Sequence, residues 1–99
     1  MNPATAKARV AEAIKNSRNI VVVPHALAQM EQRKIDHLDI YRCLRDGAIV
    51  EGPYIHDIKS GNYRFRVEAN VVGEIIAVVA ELAECDDGFV IVVTTFKGN

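Results

Sequence analysis

Apolar positions in the first half of the chain recur at helical spacing. Residues 3–17 read as a helix: Pro3 suits a first turn, five alanines follow, and Val10 and Ile14 lie four apart in a thin apolar stripe. Asn16-Ser17-Arg18-Asn19 ends that pattern. Ile20–Val23 is a short β-branched run, stopped by Pro24, which lacks the N–H that a central strand needs. Pro24 also suits the start of a second helix, over Pro24–Arg33. Asp36 has the chemistry of an N-cap, Asp39 favours the positive end of a helix, and Leu38, Tyr41 and Leu44 face one way. Gly47 stands where a C-cap belongs, so Asp36–Asp46 is a third helix.

Beyond Gly47 the period falls to two. Ala48–Lys59 is loosely strand-like, and Gly52-Pro53 inside it marks an edge strand or a bulge. Ser60-Gly61-Asn62 is a turn. Tyr63, Phe65 and Val67 then alternate with Arg64, Arg66 and Glu68, which predicts a strand with one buried and one charged face. Glu74–Leu82 is apolar at both parities, the pattern of a strand covered on both sides. Cys85-Asp86-Asp87-Gly88 turns the chain into a last β-branched strand, Phe89–Phe96. Helices first and hairpins after predict an α+β fold: two to three N-terminal helices on an antiparallel sheet of four or five strands.

Length and composition add bounds. Ninety-nine residues, 49% hydrophobic and 25% charged, fit a single domain spanning 1–99 with one core. The longest apolar run, Ile75–Ala80, is far short of the roughly 20 residues of a membrane span, and residues 4–8 lead into charges with no signal-peptide pattern. A cytoplasmic protein is expected. Cys43 and Cys85 are isolated, and His25, His37 and His56 do not fall at metal-ligand spacing with them. Free, partly buried thiols and no metal or other cofactor are expected. Net charge is −1, with the first fifty residues at +3 and the rest at −4. Any site for a polyanion must therefore be a local cluster.

Three segments carry candidate chemistry. On the second helix His25, Gln29 and Gln32 share one face, beside Ala26, Met30 and Arg33. An imidazole can act as general acid or base and a guanidinium can clamp a phosphate, although a helix-end Arg also serves to bond the last carbonyls. Arg64 and Arg66 lie about 7 Å apart on one strand face. They form a cationic pocket if that face meets the His25 helix, and a solvated face with Glu68 as partner if it does not. Thr95 and Lys97 share a parity at the chain's end, where a hydroxyl beside an ammonium suits phosphate. Tyr63 and Phe65 could stack on bases, but alternating aromatics in a strand are more often core.

His25-Ala26, Met30, Arg33 and Ile35, followed by a helix ending at Gly47, an Arg-bearing strand and a terminal Val-Val-Thr-Thr strand, resemble a known pattern. It is that of a small uncharacterised bacterial domain family whose helix reads His-Ala-x-x-Arg-Met-x-x-Arg-x-Ile, itself similar to the RelE/BrnT/MqsR-like ribonuclease toxins. The resemblance covers residues 20–97 and leaves 1–19 outside. The motif's first Arg is Gln29 here. The resemblance implies a helix pair followed by a four-stranded antiparallel sheet, and metal-independent RNA cleavage in a toxin–antitoxin system. Carried over, His25 would be the general acid or base, Arg33 a phosphate binder and Arg64 the group that stabilises developing phosphate charge. Gln29, Arg66, Thr95 and Lys97 would hold substrate. RNA and an antitoxin would be the partners. The alternatives are a non-catalytic protein-interaction module and a small homodimer without a nucleic-acid role.

Overall fold

A computed structural model describes residues 1–83 and 88–98; Glu84 and most of the expected turn at Cys85-Asp86-Asp87 lie outside the described residues. Three helices and a sheet of five strands make up the domain, with the first strand falling between the first and second helices, so the α+β expectation holds.

Helix α1 runs Pro3–Ala13, and the Asn2 side chain accepts from Thr5 N at 2.8 Å. It is shorter than the expected 3–17 because asparagine side chains compete for its last turn. Asn19 Nδ2 donates to the Ala13 carbonyl at 3.0 Å, and the Asn16 side chain accepts from Arg18 N, which opens a short 3₁₀ turn at Ser17–Asn19. Ala6, Val10, Ala13 and Ile14 are all buried, so the apolar stripe of α1 is consumed by the domain's own core.

Strand β1 is Ile20–Val22, and α2 is Pro24–Arg33, closed by Lys34 in the left-handed region at φ 54°. Helix α3 is His37–Asp46. Asp36 caps its N-terminus as expected, accepting from Asp39 N at 2.8 Å, and Asp39, expected there for its charge, also accepts from Asp36 N at 3.1 Å, which completes a capping box. Gly47 follows α3, but not as a left-handed cap, since its φ is −74°. It is small because a Cβ there would lie 2.5 Å from both the Cys43 carbonyl and Val67 Cγ1.

The remaining strands are β2 (Ala48–Ile55), β3 (Tyr63–Val71), β4 (Glu74–Ala83) and β5 (Phe89–Gly98). The expected strand over 48–59 stops at Ile55, because Asp57 folds the chain back by accepting from Lys59 N. β2 carries two register shifts around Gly52-Pro53, the irregularity that its sequence predicts.

The strand order is β1-β5-β4-β3-β2. Four strands form an antiparallel meander, but β1 pairs with β5 in parallel, Ile20 opposite Val90 and Val22 opposite Val92. The sheet is therefore mixed, and it corrects the antiparallel expectation. The cause is topological: β1 and β5 run the same way, and the whole intervening chain connects them.

One face of the sheet packs on the helices. Phe65, Val67, Ile76, Val78, Ala80, Leu82, Val90 and Val92 meet Val10, Ala26, Met30, Ile40, Cys43 and Leu44 in one core. The opposite parity carries Arg64, Arg66, Glu68, Ala77, Val79, Glu81, Thr94 and Phe96 on the second face. Among the described residues no helix is long and apolar enough to cross a membrane.

Candidate functional site

The joint between α2 and β5 brings most of the sequence candidates together. β1 ends after three residues, with Val23 N donating to Val92 O at 3.2 Å. Beyond that point the outer edge of β5 has no strand beside it, and α2 takes over. Gln29 Oε1 accepts from Thr95 N at 2.9 Å and from the Thr94 hydroxyl. Arg33 Nη1 donates to Thr95 O at 2.7 Å. Two side chains one turn apart thus supply to Thr95 the acceptor and the donor that a neighbouring strand would supply. An edge that would otherwise present unpaired backbone is closed.

His25 lies one further turn back on the same stripe, four residues before Gln29. It is exposed and has no hydrogen-bond partner among the described residues. Gln29 is half-buried, and Arg33 is exposed apart from its bond to β5. The stripe therefore has two anchored members and one imidazole open to solvent.

The other candidates occupy separate places. Thr95 is fully buried, and its hydroxyl donates to Ala77 O at 3.0 Å, so its side chain faces the core and not a ligand. Its parity is set by a register shift in β5, which places Thr95 opposite Val78 on the helix-facing side. Lys97 pairs with Glu74 at 2.8 Å. Arg64 lies on β3, two strands from β5, and is not brought to the α2 stripe. Its Nη2 and Nε lie 2.6 and 3.0 Å from one oxygen of Glu81, its cross-strand partner on β4. Arg66 pairs with Glu68 at 2.9 Å, and its guanidinium sits over the Phe96 ring, 4.5 Å from the centroid. Of the two arrangements open for this strand face, a pocket with His25 or an ion-paired face, the second is found. Gln32 is exposed.

The candidate aromatics behave differently from one another. Phe65 is buried in the core, and Tyr63 is half-buried at the start of β3. The aromatic on the second face is Phe96, which the alternation of residues 63–67 does not point to. Thr94, Glu81 and Phe96 are the contributors that sequence reasoning passed over. Their shared parity with Arg64 and Arg66 emerges only once the strand registers are known.

Two titratable groups are set by burial. Cys43 is a free thiol pushed up to about 12 by desolvation, with its Sγ 3.4 Å from Ile76 O and 3.6 Å from Val67 O. It is a packing residue and not a nucleophile at neutral pH. Lys7 is lowered by desolvation while its ammonium donates to Leu44 O and Arg45 O, closing the C-terminal end of α3. Among the described residues no group of three His, Cys, Asp or Glu side chains could hold a metal ion.

A family described as a domain of unknown function (DUF4258) matches residues 22–97, so the match starts within β1 and leaves α1 outside. No curated protein and no solved structure matches the chain.

Proposed function

The chain belongs to the DUF4258 family, and from that premise we propose that it is a metal-independent endoribonuclease of the toxin type, cytoplasmic in a bacterium and held in check by an antitoxin. The observation that carries this reading is the anchoring of α2: Gln29 and Arg33 fix the helix on β5, and the solvent-open His25 rides on the same stripe. A general acid or base needs a fixed bearing and an open face, and the stripe offers both.

In the reaction the ribose 2′-oxygen bonds to the adjacent phosphorus and the bond from phosphorus to the 5′-oxygen breaks. The products are a 2′,3′-cyclic phosphate and a 5′-hydroxyl. His25 takes the proton of the 2′-hydroxyl or returns one to the leaving oxygen. Arg33 uses one of its five N–H donors on Thr95 O, and the remaining donors can meet the phosphate. Arg64, bound to Glu81 two strands away, contributes to the sheet face and not to a clamp on this phosphate.

The test is cleavage of single-stranded and ribosome-bound RNA by the purified protein in the presence of EDTA. Fragments ending in cyclic phosphate, lost in His25→Ala, are expected. No cleavage by the wild type, or equal cleavage by His25→Ala, overturns the reading. A second reading, a non-catalytic protein-interaction module, draws on the exposed Val50, Tyr54, Ile55 and Ile58 on and just beyond β2. It expects harmless expression together with an association that Ile58→Asp abolishes.

A further inference from the structure

We propose that the guanidinium of Arg66, bedded on Phe96 across β4, is a stacking platform for an unpaired nucleobase of single-stranded RNA. The inference deepens the ribonuclease reading by naming where the substrate's bases rest, and it rests on that reading for the nature of the polymer.

The platform begins with a gap. On the second face Glu68 of β3, Ala77 of β4 and Phe96 of β5 stand in one row across the sheet. Ala77 is the small member, and between two larger neighbours it leaves a hollow. Arg66, in the next row, leans over that hollow. Its Nε donates to Glu68 at 2.9 Å, and its Cζ lies 4.5 Å from the Phe96 centroid. Ala77 is only 1% exposed despite having no large side chain of its own, as expected for a residue roofed by its neighbours. Arg66 keeps 31% of its side chain open to solvent. The roof thus has an outer side that solvent reaches.

Charge decides what suits that outer side. A phosphate would need an arginine whose charge is free, yet Arg66 is matched by Glu68 and Arg64 by Glu81. An incoming phosphate would meet two carboxylates as well as two guanidinium groups. A base carries no charge and loses nothing to those carboxylates. A planar, weakly hydrated guanidinium already held by an aromatic ring is a ready partner for a flat heterocycle. Stacking of this kind tolerates sequence because every base has a π-face. Arg66 and Thr94 belong to one row, with Val79 between them, and Thr94 bonds Gln29. The platform is therefore linked to the α2 stripe through Val79, Thr94 and Gln29, across β4 and β5.

The experiment measures binding in the His25→Ala background, so that no RNA is cut. A short fluorescent single-stranded RNA is compared with the same ribose-phosphate chain lacking its bases. The RNA is expected to bind about tenfold more tightly than the abasic chain, the worth of one stacked base. Arg66→Lys keeps the charge but not the plane, and it should erase that preference without weakening abasic binding. Ala77→Val, which lifts the roof, and Phe96→Leu, which removes its bed, should do the same; melting temperatures report whether these two still fold. Equal binding of both chains by the parent, an undiminished preference in Arg66→Lys, or no binding of either chain overturns the proposal. Cleavage by the wild type is scored separately. A protein that prefers bases through Arg66 but cuts nothing sinks the ribonuclease reading and spares the platform.

Discussion

On β3, Phe65 and Val67 face the helices and are at most 1% exposed, while Arg64, Arg66 and Glu68 alternate with them and retain a fifth to a third of their side-chain exposure. The same alternation runs through β4, where Ile76, Val78 and Ala80 face inward and Val79 and Glu81 outward and half-buried, with Ala77 on the outer side but covered. The inner face is held by apolar burial, which is indifferent to direction but costly to lose. The outer face is held by pairwise contacts, Arg64 with Glu81 and Arg66 with Glu68 and Phe96, which are directional and individually modest. One face therefore fixes the architecture, and the other can change its residues while the strands stay in place. A chemical function placed on the second face, or at its rim along α2, does not endanger the fold.

The contrast can be broken most severely from the inner side. Phe65→Ala removes the largest fully buried side chain and should cost about 3–5 kcal/mol, read from denaturant unfolding. The outer face answers more weakly. Arg64→Ala leaves Glu81, whose side chain is 14% exposed, without its partner, and about 1–3 kcal/mol is expected. Replacing both partners by apolar residues of similar size, Arg64→Met with Glu81→Leu, should recover much of that loss, because no charge is then left without its mate.

A pH scan sharpens the comparison further. The Cys43 thiol is raised in the folded protein to about 12, so the unfolded chain ionises first as pH climbs. From the ordinary thiol value of 9.0 up to about 12 the unfolded state holds fewer protons than the native state, and this group's contribution to stability falls with rising pH. Below 9 the contribution is constant. The difference in unfolding free energy between wild type and Cys43→Ala should therefore shrink over that alkaline window and stay flat below it. At the other extreme, Arg66→Lys on the outer face should leave stability within about 0.5 kcal/mol of wild type in thermal melts.

The ease of reading the sequence follows the same division. Period-two alternation in residues 63–68 announces which side of β3 is buried, and the two-parity run at 75–80 announces a central strand; both hold. Asp36 as an N-cap and Asp39 at the positive helix end announce the start of α3, because capping is a local contact. What stays hidden depends on register between distant segments. Nothing near Arg64 says that Glu81 stands opposite it. Glu68, the partner expected for this arginine face, pairs with Arg66 and leaves Arg64 to Glu81. Thr95 reads as a site residue until the register shift in β5 turns its hydroxyl toward Ala77 O. Gly47 reads as a C-cap for its freedom of backbone, whereas its φ is ordinary and its size is dictated by Cys43 and by Val67, twenty positions on. On α2 the spacing of His25, Gln29 and Arg33 is visible, but not that Gln29 and one donor of Arg33 bond the backbone of β5.

The way α2 closes the flank of β5 bears on how copies of this chain could join. Lengthening a sheet from neighbour to neighbour requires two open margins on each molecule. At Thr95 one margin has both of its backbone groups taken by Gln29 and Arg33. The opposite margin, β2, has no strand beyond it, and Pro53 has no N–H to offer there. Open backbone is then left along the three residues of β1 on one side and along β2 on the other. A strand laid against this sheet would find three residues at β1 or a run interrupted by Pro53 at β2, and β5 at Thr95 would offer it no free backbone group.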